Sequence, residues 1–273
     1  MPKKIITLLT DFGILDGYVA SMKGIILGIC PDVHIVDISH MIPPQDVRSG
    51  AFVLASTFGD FPRNTVHLAV VDPGVGTRRR AIAISTPECF FVGPDNGIFS
   101  PALRHANTPE ARSIENPRFI RPRISNTFHG RDIFAPVAAH LAAGVEFPLL
   151  GPICQPHSTP WRAPVCDPGG IQGEVIHIDR FGNAVTNLDR SLVPDLTVPT
   201  IWTVRVRDVL PCKPADTYGD GDPGELLALI GGSDYLEIAV SQGNAALSHG
   251  IRIGDPVSAL RVSPHEPSLG TSP

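Results

Sequence analysis

In Val70-Val71-Asp72-Pro73-Gly74-Val75-Gly76-Thr77-Arg78-Arg79, an apolar run ends in a carboxylate, a rigid Pro-Gly turn and paired arginines. The residues leading into it, His67 to Val71, have the character of a strand buried in an open α/β sheet. Such sheets bind ligands beyond the carboxyl ends of their strands. Asp72 therefore marks the place where a site is expected.

Upstream, short apolar runs alternate with helix-like patterns: Ile5 to Leu9, Tyr18 to Ile29, His34 to Ile38, Val47 to Phe58, then Val66 to Val71. That is the rhythm of βαβ units. Pro31 stops the first helix, because proline cannot continue it and restricts the residue before it. Downstream, Ala81 to Ser85 and Cys89 to Val92 read as two more strands joined by a Thr-Pro-Glu turn, and Ile133 to Ala143 as a closing helix. The pattern predicts an α/β N-terminal domain over 1–147 with a mainly parallel sheet. Prolines at 148, 152, 156, 160, 164 and 168, followed by Gly169-Gly170, mark 148–172 as a linker. The runs Gly173 to Ile178, Ile201 to Val206, Leu226 to Ile230, Leu236 to Val240 and Pro256 to Val262 are rich in β-branched residues and separated by Gly, Asp and Pro. They predict a smaller all-β, barrel-like C-terminal domain over 173–262. Residues 263–273 carry few apolar side chains and read as a flexible tail.

Of the 273 residues 42% are hydrophobic and 18% charged, enough to build packed cores. The net charge of −5 gives no general attraction to nucleic acid or an anionic membrane, which leaves a small molecule as the expected partner. Five widely spaced cysteines without a CxxC pair or a matching His cluster speak against zinc and against a disulfide framework. The apolar run that begins at Ile5 is cut off by Thr10-Asp11 before it reaches signal-peptide length, and no segment approaches the ~20 apolar residues of a membrane helix. A soluble cytoplasmic protein is expected.

Polar clusters fall at the ends of these apolar segments: Thr10-Asp11-Phe12-Gly13, Asp72 with Arg79, Gly93 to Gly97, and Phe128-His129-Gly130-Arg131-Asp132. A fifth, Asp179-Arg180-Phe181-Gly182-Asn183, ends the first strand of the second domain. Loops on one edge of a scaffold commonly carry function. Each cluster also has a plain architectural reading. Asp11 and Asp95 suit turns, since each precedes a glycine closely. Asp72 and Arg79 suit a structural ion pair, His129 a hydrogen-bonded interior residue, and Asp132 the cap of the helix that follows. Of Arg78, Arg79 and Arg80, at most one is expected to act in a site.

Taken together, the five clusters, with Asp16 and Thr186-Asn187, resemble the motifs of the S-adenosyl-L-methionine hydroxide adenosyltransferases, relatives of the fluorinase and chlorinase enzymes. The resemblance runs in order from about Ile5 to Val262. It implies an N-terminal α/β domain, a C-terminal β-barrel, and a homotrimer whose active sites lie between the first domain of one subunit and the second domain of its neighbour. The implied reaction is attack of water or hydroxide on the 5′ carbon of S-adenosyl-L-methionine, giving adenosine and L-methionine, without metal or cofactor. By position Asp72, Arg79 and His129 look like the water-activating trio and Asp11 like the carboxylate that holds the ribose diol. Phe128, Gly130, Asp179, Phe181 and Asn183 fall where the family lines its nucleoside and methionine pocket. Ile230-Gly231-Gly232-Ser233-Asp234-Tyr235-Leu236-Glu237 resembles the methionine-side loop, which more typically reads Asn-Ser-Ser-Gly before Tyr-Leu-Glu. Ser233 and Glu237 are the candidates there, Glu237 for an ammonium group.

The chemistry suits these residue types. A sulfonium leaves as a neutral thioether and needs no general acid, so the demand falls on placing and activating the nucleophile. Arg79 would orient Asp72 but weaken it as a base, which makes His129 the expected proton acceptor. An ionised carboxylate at Asp11 suits the two hydroxyls of a ribose because it only accepts. Asp72 and His129 stand where the fluorinating relatives carry tyrosines, which favours hydrolysis over halogenation. Two other classes fit parts of the pattern: a non-catalytic adenosine-binding protein keeping Asp11, Phe181 and Asn183, and a metal-dependent phosphohydrolase using Asp11, Asp72 and Asp95.

Overall fold

A computed structural model describes residues 4–104, 106–158, 162–194, 196, 202–208 and 210–261. The expected tail over 263–273, and the outer ends at Ile201 and Val262 of two expected strands, lie outside the described residues. The chain divides into two compact units between residues 160 and 161.

In the first unit the elements run β1 (Ile5–Thr10), α1 (Tyr18–Ile29), β2 (His34–Ser39), α2 (Val47–Ala55), β3 (Thr65–Val70), β4 (Ala81–Ser85), β5 (Cys89–Pro94), α3 (Ser100–Leu103), β6 (Glu110–Ser113) and α4 (Ala135–Ala142). They form a six-stranded sheet in the order β2-β1-β3-β5-β4-β6. β2, β1, β3 and β5 pair in parallel, and β4 runs antiparallel to both β5 and β6. Every residue of β3 is buried, as its continuous apolar character requires of a central parallel strand. His67 and Thr65 are the polar members of that strand, and His67 Nδ1 lies 2.9 Å from the Thr7 hydroxyl on β1. Met22 and Ile26 of α1 join Val137 and Leu141 of α4 over Ile6, Leu8 and Leu68 in one core. α2 starts where Asp46 accepts a hydrogen bond from the Ser49 amide, an N-cap that satisfies one of the free donors of the first turn.

The helix expected from Ile133 begins earlier, with a π turn over Gly130–Phe134 that runs into α4. The extra residue of that turn hides its start from a 3.6-residue pattern. β6 also escapes the pattern, since Glu110-Ala111-Arg112-Ser113 is short and polar and alternates between half-buried and buried at the sheet edge. Much of the proline-rich stretch over 148–172 is ordered against its neighbours. Proline lacks a donor but keeps its carbonyl, so the Pro152 carbonyl accepts from the Ser113 amide and Cys154 donates to Ala111, each at 2.9 Å.

The second unit contains β7 (Val165–Asp167), β8 (Gly170–Ile178), β9 (Ala184–Asp189), β10 (Trp202–Val206), β11 (Leu210–Pro214), β12 (Leu226–Ile230), β13 (Tyr235–Val240), α5 (Ala245–His249) and β14 (Pro256–Arg261). Seven strands close into a barrel, because the order β14-β10-β11-β12-β13-β9-β8 is joined end to end by pairing of β14 with β8. Closure removes the open edges that a sheet of this size would otherwise expose. Val175, Leu188, Trp202, Val204, Leu236, Ile238 and Val257 fill the interior. β9 and β11 are hidden in the sequence for separate reasons. In β9 the apolar run is interrupted by Thr186 and Asn187, both buried, with Asn187 accepting from the Glu174 amide and donating to the Arg162 carbonyl. β11 carries Pro211 and Pro214, which argue against a strand until its pairing is seen. No helix among the described residues is long and apolar enough to cross a membrane.

Candidate active site

The register of β1 on β3 sets Thr10 opposite Val70. Asp11 and Asp72, which follow these residues, therefore leave the sheet at the same carboxyl edge. Both line a cavity of about 290 Å³ together with Phe12, Gln45, Thr127, Phe128, His129 and Gly130. Asp11 accepts a hydrogen bond of 2.7 Å from the Gln45 amide, so one of its oxygens ties the β1 exit to the loop before α2.

The turn after β3 folds back so that Arg79 meets Asp72 on two prongs: Nε donates to Oδ1 at 2.8 Å and Nη2 donates to Oδ2. Gly76 makes this return possible. It adopts φ +74°, and a β-carbon there would fall 2.2 Å from the Asn126 carbonyl oxygen. The side chains of Arg79 and Asp72 are only 11% and 5% exposed, and the guanidinium lies 5.2 Å from the centre of the Phe134 ring. Nη2 of Arg79 also reaches Nδ1 of His129 at 2.8 Å. A guanidinium has no lone pair to offer, so Nδ1 accepts and the neutral ring keeps its proton on Nε2. Burial, then the charge of Arg79, push the His129 pKa below its ordinary value, against the opposing pull of Asp72 and Asp132. The expectation that His129 takes the proton of the nucleophile meets this geometry: with Nδ1 occupied, the neutral ring presents a donor.

The other arginines are used elsewhere. Arg80 donates to Asp95 from Nε and Nη2 at 2.8 and 2.6 Å, and the second Asp95 oxygen accepts from the His157 amide. Asp95 is thus tied into the architecture, in keeping with its turn-organising reading. No group of three His, Cys, Asp or Glu side chains able to hold a metal ion gathers among the described residues. Asp132, expected to cap a helix, is instead fully buried inside the π turn.

The second unit holds a shallower cavity of about 440 Å³ lined by Asp179, Phe181, Asn183, Tyr218, Val240, Gln242 and Gly243. Asp179 is largely committed to its own turn: it accepts from the amides of Phe181 and Asn183 and from the Asn183 side chain. Phe181 stands 73% exposed at the rim. Glu237 sits beneath, 6% exposed, and accepts a hydrogen bond of 2.8 Å from the Tyr218 hydroxyl. Burial raises the Glu237 pKa; the Tyr218 bond opposes that rise and the nearby charge of Asp179 adds to it. Gly231 is glycine for this carboxyl group, since a β-carbon there would fall 1.9 Å from Glu237 Oε1. Ser233, in the turn between β12 and β13, has a buried hydroxyl without a hydrogen-bond partner among the described residues. Tyr218, which lines this cavity, is a residue that sequence reading missed. It lies in the polar excursion 214–223, and its link to Glu237 spans 19 residues of chain that no local pattern connects.

Residues 6–151 match the N-terminal domain, and residues 173–258 the C-terminal domain, of the SAM hydroxide adenosyltransferases. The chain belongs to this family. Within it, the chain is 40% identical over 259 residues to a protein of Salinispora tropica named (R)-S-adenosyl-L-methionine hydrolase, covering 93% of this chain and 97% of that one. A fluorinase of Actinopolyspora mzabensis is more distant, 27% identical over 292 residues, covering 95% of this chain and 98% of that one. Among solved structures, an uncharacterized conserved protein of Thermotoga maritima superimposes with a TM-score of 0.86 at 39% identity, covering 93% of this chain and 99% of that one. The α/β unit and the closed barrel are the two domains of the adenosyltransferase family, and Asp72, Arg79 and His129 meet in the first of them.

Proposed function

We propose that this protein hydrolyses S-adenosyl-L-methionine to adenosine and L-methionine by attack of a water-derived oxygen on the 5′ carbon. The observation that carries the reading is the convergence of Asp72, Arg79 and His129 on the cavity that Asp11 also lines, in a chain of this family. Hydroxide, formed from a water whose proton is released to bulk solvent, attacks the carbon; the carbon-sulfur bond breaks with its electron pair going to sulfur, and a cationic sulfonium becomes a neutral thioether. No acid, metal or cofactor is required to release that leaving group.

Each side chain has a part in this scheme. Arg79 holds the Asp72 carboxylate in one orientation and fixes the His129 tautomer. The Nε2–H of His129 then donates to the attacking oxygen and steadies its negative charge, while Asp72 orients it. Preorganised donors of this kind lower a barrier because they do not have to reorganise as charge moves. Asp11 binds the ribose diol, Phe128 and Gly130 wall the nucleoside, and Asp179, Phe181, Asn183, Ser233 and Glu237, joined by Tyr218, serve the remainder of the substrate. The (R) configuration in the name of the Salinispora relative supports the same sulfur epimer here.

The working form in this reading is a homotrimer, each active site combining the first unit of one subunit with the second unit of another. Supporting it, Phe181 in the wall of the second cavity is 73% exposed, and Leu15, four residues along the chain from Asp11, is 98% exposed; large exposed apolar side chains of this kind gain from burial against a partner. A cytoplasmic setting is supported by Cys30, Cys89, Cys154, Cys166 and Cys212, all unpaired, as in a reducing compartment.

The test is to incubate chelator-treated protein with S-adenosyl-L-methionine and follow adenosine and methionine. Equal amounts of both are expected. His129→Ala should lower kcat by on the order of 100- to 1,000-fold, the cost of losing one preorganised donor, with substrate affinity nearly unchanged. Near-normal turnover in that variant would remove His129 from the chemistry.

A further inference from the structure

The buried carboxylate of Asp132 has no part in the scheme above, yet it lies three residues from His129 and is fully enclosed. Its Oδ1 accepts from Arg121 Nη1 at 3.0 Å and from Arg131 Nε at 2.7 Å. Its Oδ2 accepts from Arg131 Nη2 at 2.9 Å and from the Ser125 amide at 2.8 Å. The backbone of the same residue donates to the Phe128 carbonyl at 3.2 Å and accepts from the Arg121 amide at 2.9 Å. One residue thus fastens the loop 121–129 at its first residue, at its middle and at its last turn.

That loop carries Thr127, Phe128 and His129 into the cavity. Residues three apart share a face of an α-helix. The π turn, in which the Ala135 amide reaches the Gly130 carbonyl, instead lets Asp132 point inward while His129 lines the cavity. Arg131 extends the network to the wall itself, with its guanidinium 4.9 Å from the centre of the Phe128 ring. Phe128 in turn meets Phe12 and Tyr18 edge-on at 5.9 and 5.2 Å. A carboxylate with these partners would be costly to bury for stability alone, since apolar replacements commonly serve as well. Fixing a geometry is the better-supported use of such a network.

We propose that Asp132 is a positioning residue: through Arg121, Arg131 and the Ser125 amide it sets the loop 121–129 and thereby the placement of Phe128 and His129 against the substrate. The charges facing His129 are Arg79 and Asp72 from the turn after β3 and Asp132 from its own helix, with Arg121 and Arg131 paired to Asp132. Removing the Asp132 charge while keeping its shape therefore makes the imidazole harder to protonate.

The inference rests on the hydrolase reading for its kinetic arm only. Asp132→Asn and Arg131→Lys are to be compared with the unaltered protein in steady-state kinetics and in an imidazole NMR titration of His129 without substrate. In Asp132→Asn the His129 titration should move to lower pH, and kcat should fall by on the order of 10- to 100-fold, the effect of sub-ångström to ångström misplacement, while KM changes little. The acid limb of the kcat profile should move in the same direction, which a merely structural role would not produce. Arg131→Lys keeps the charge but loses the two-pronged bond, so kcat should fall there too with a smaller shift of the titration. It decides the matter if Asp132→Asn does not fold. Unchanged kcat and an unchanged His129 titration in a folded variant would overturn the proposal. Absence of turnover in the unaltered protein would overturn the hydrolase reading instead, with the titration still deciding for or against Asp132.

Discussion

The two units present their polar residues in opposite ways. At the edge of the parallel sheet the charges are locked to one another across the chain: Asp72 to Arg79, Arg79 to His129, Asp11 to the Gln45 amide. In the barrel the polar groups are turned back into their own supports, Asp179 into the turn it heads and Glu237 into a buried bond with Tyr218. Strand ends of a parallel sheet converge on one edge, so reacting groups can be held by neighbours that the sheet itself positions. A barrel turn has to stabilise itself first, and what it offers a ligand is an exposed ring such as Phe181 and the pocket beneath. Bond making is therefore expected of the first unit, and recognition of the second.

The largest effect follows from breaking the lock. Arg79→Met leaves Asp72 without its two-pronged partner and frees the His129 tautomer, so kcat should fall by on the order of 1,000-fold or more, as when residues acting as a unit are disrupted. Rapid-quench or steady-state product assays on folded variant check this. A loss confined to KM would mean that Arg79 only binds.

The buried His67 extends the contrast to stability. Burial lowers its pKa from 6.5 to about 4. The unfolded chain takes up a proton there below about pH 6.5, whereas the folded chain resists until about pH 4. Stability is then complete above 6.5 and lost as pH falls from 6.5 to 4, by a total of about 3 kcal/mol. The α/β unit should lose structure in acid as that window is crossed, and His67→Phe should lower its acid midpoint. A midpoint indifferent to that substitution would assign the acid sensitivity elsewhere.

Asp11→Ala tests whether binding and chemistry separate within the first unit. Losing charged hydrogen bonds to the diol should weaken substrate binding by roughly 10- to 100-fold in calorimetry, with a smaller effect on kcat. Unchanged affinity would leave Asp11 as a fastener of the Gln45 loop. The smallest change is expected from Tyr218→Phe in the barrel. It removes one hydrogen bond to Glu237, so KM should rise by roughly two- to tenfold, in line with the ~0.5–1.5 kcal/mol of a single bond. A kcat loss as large as that of Arg79→Met would erase the division between the units.

How much of this was legible varied with the distance over which a residue's partners lie. β4 and α1 stand at the bounds their patterns predict, because the apolar runs and Pro31 act locally. Asp72 with Arg79 could be picked out because seven residues and a Pro-Gly turn join them. The bond from Arg79 to His129 spans 50 residues and fixes a tautomer, which only geometry reveals. Asp132 resembled a cap because a polar residue ahead of an apolar helix commonly is one; the π turn that buries it has no short-range signal. Strands β9 and β11 were masked by buried Thr186 and Asn187 and by Pro211 and Pro214, residues whose place in a sheet depends on partners far along the chain.

The most direct measurement is to run the reaction in isotopically heavy water with purified, chelator-treated protein and locate the label by mass spectrometry. Heavy oxygen in adenosine at the 5′ position, with unlabelled methionine, is the expected result. Adenosine without the label, or label in a fragment from the methionine side, would contradict displacement by water at the 5′ carbon.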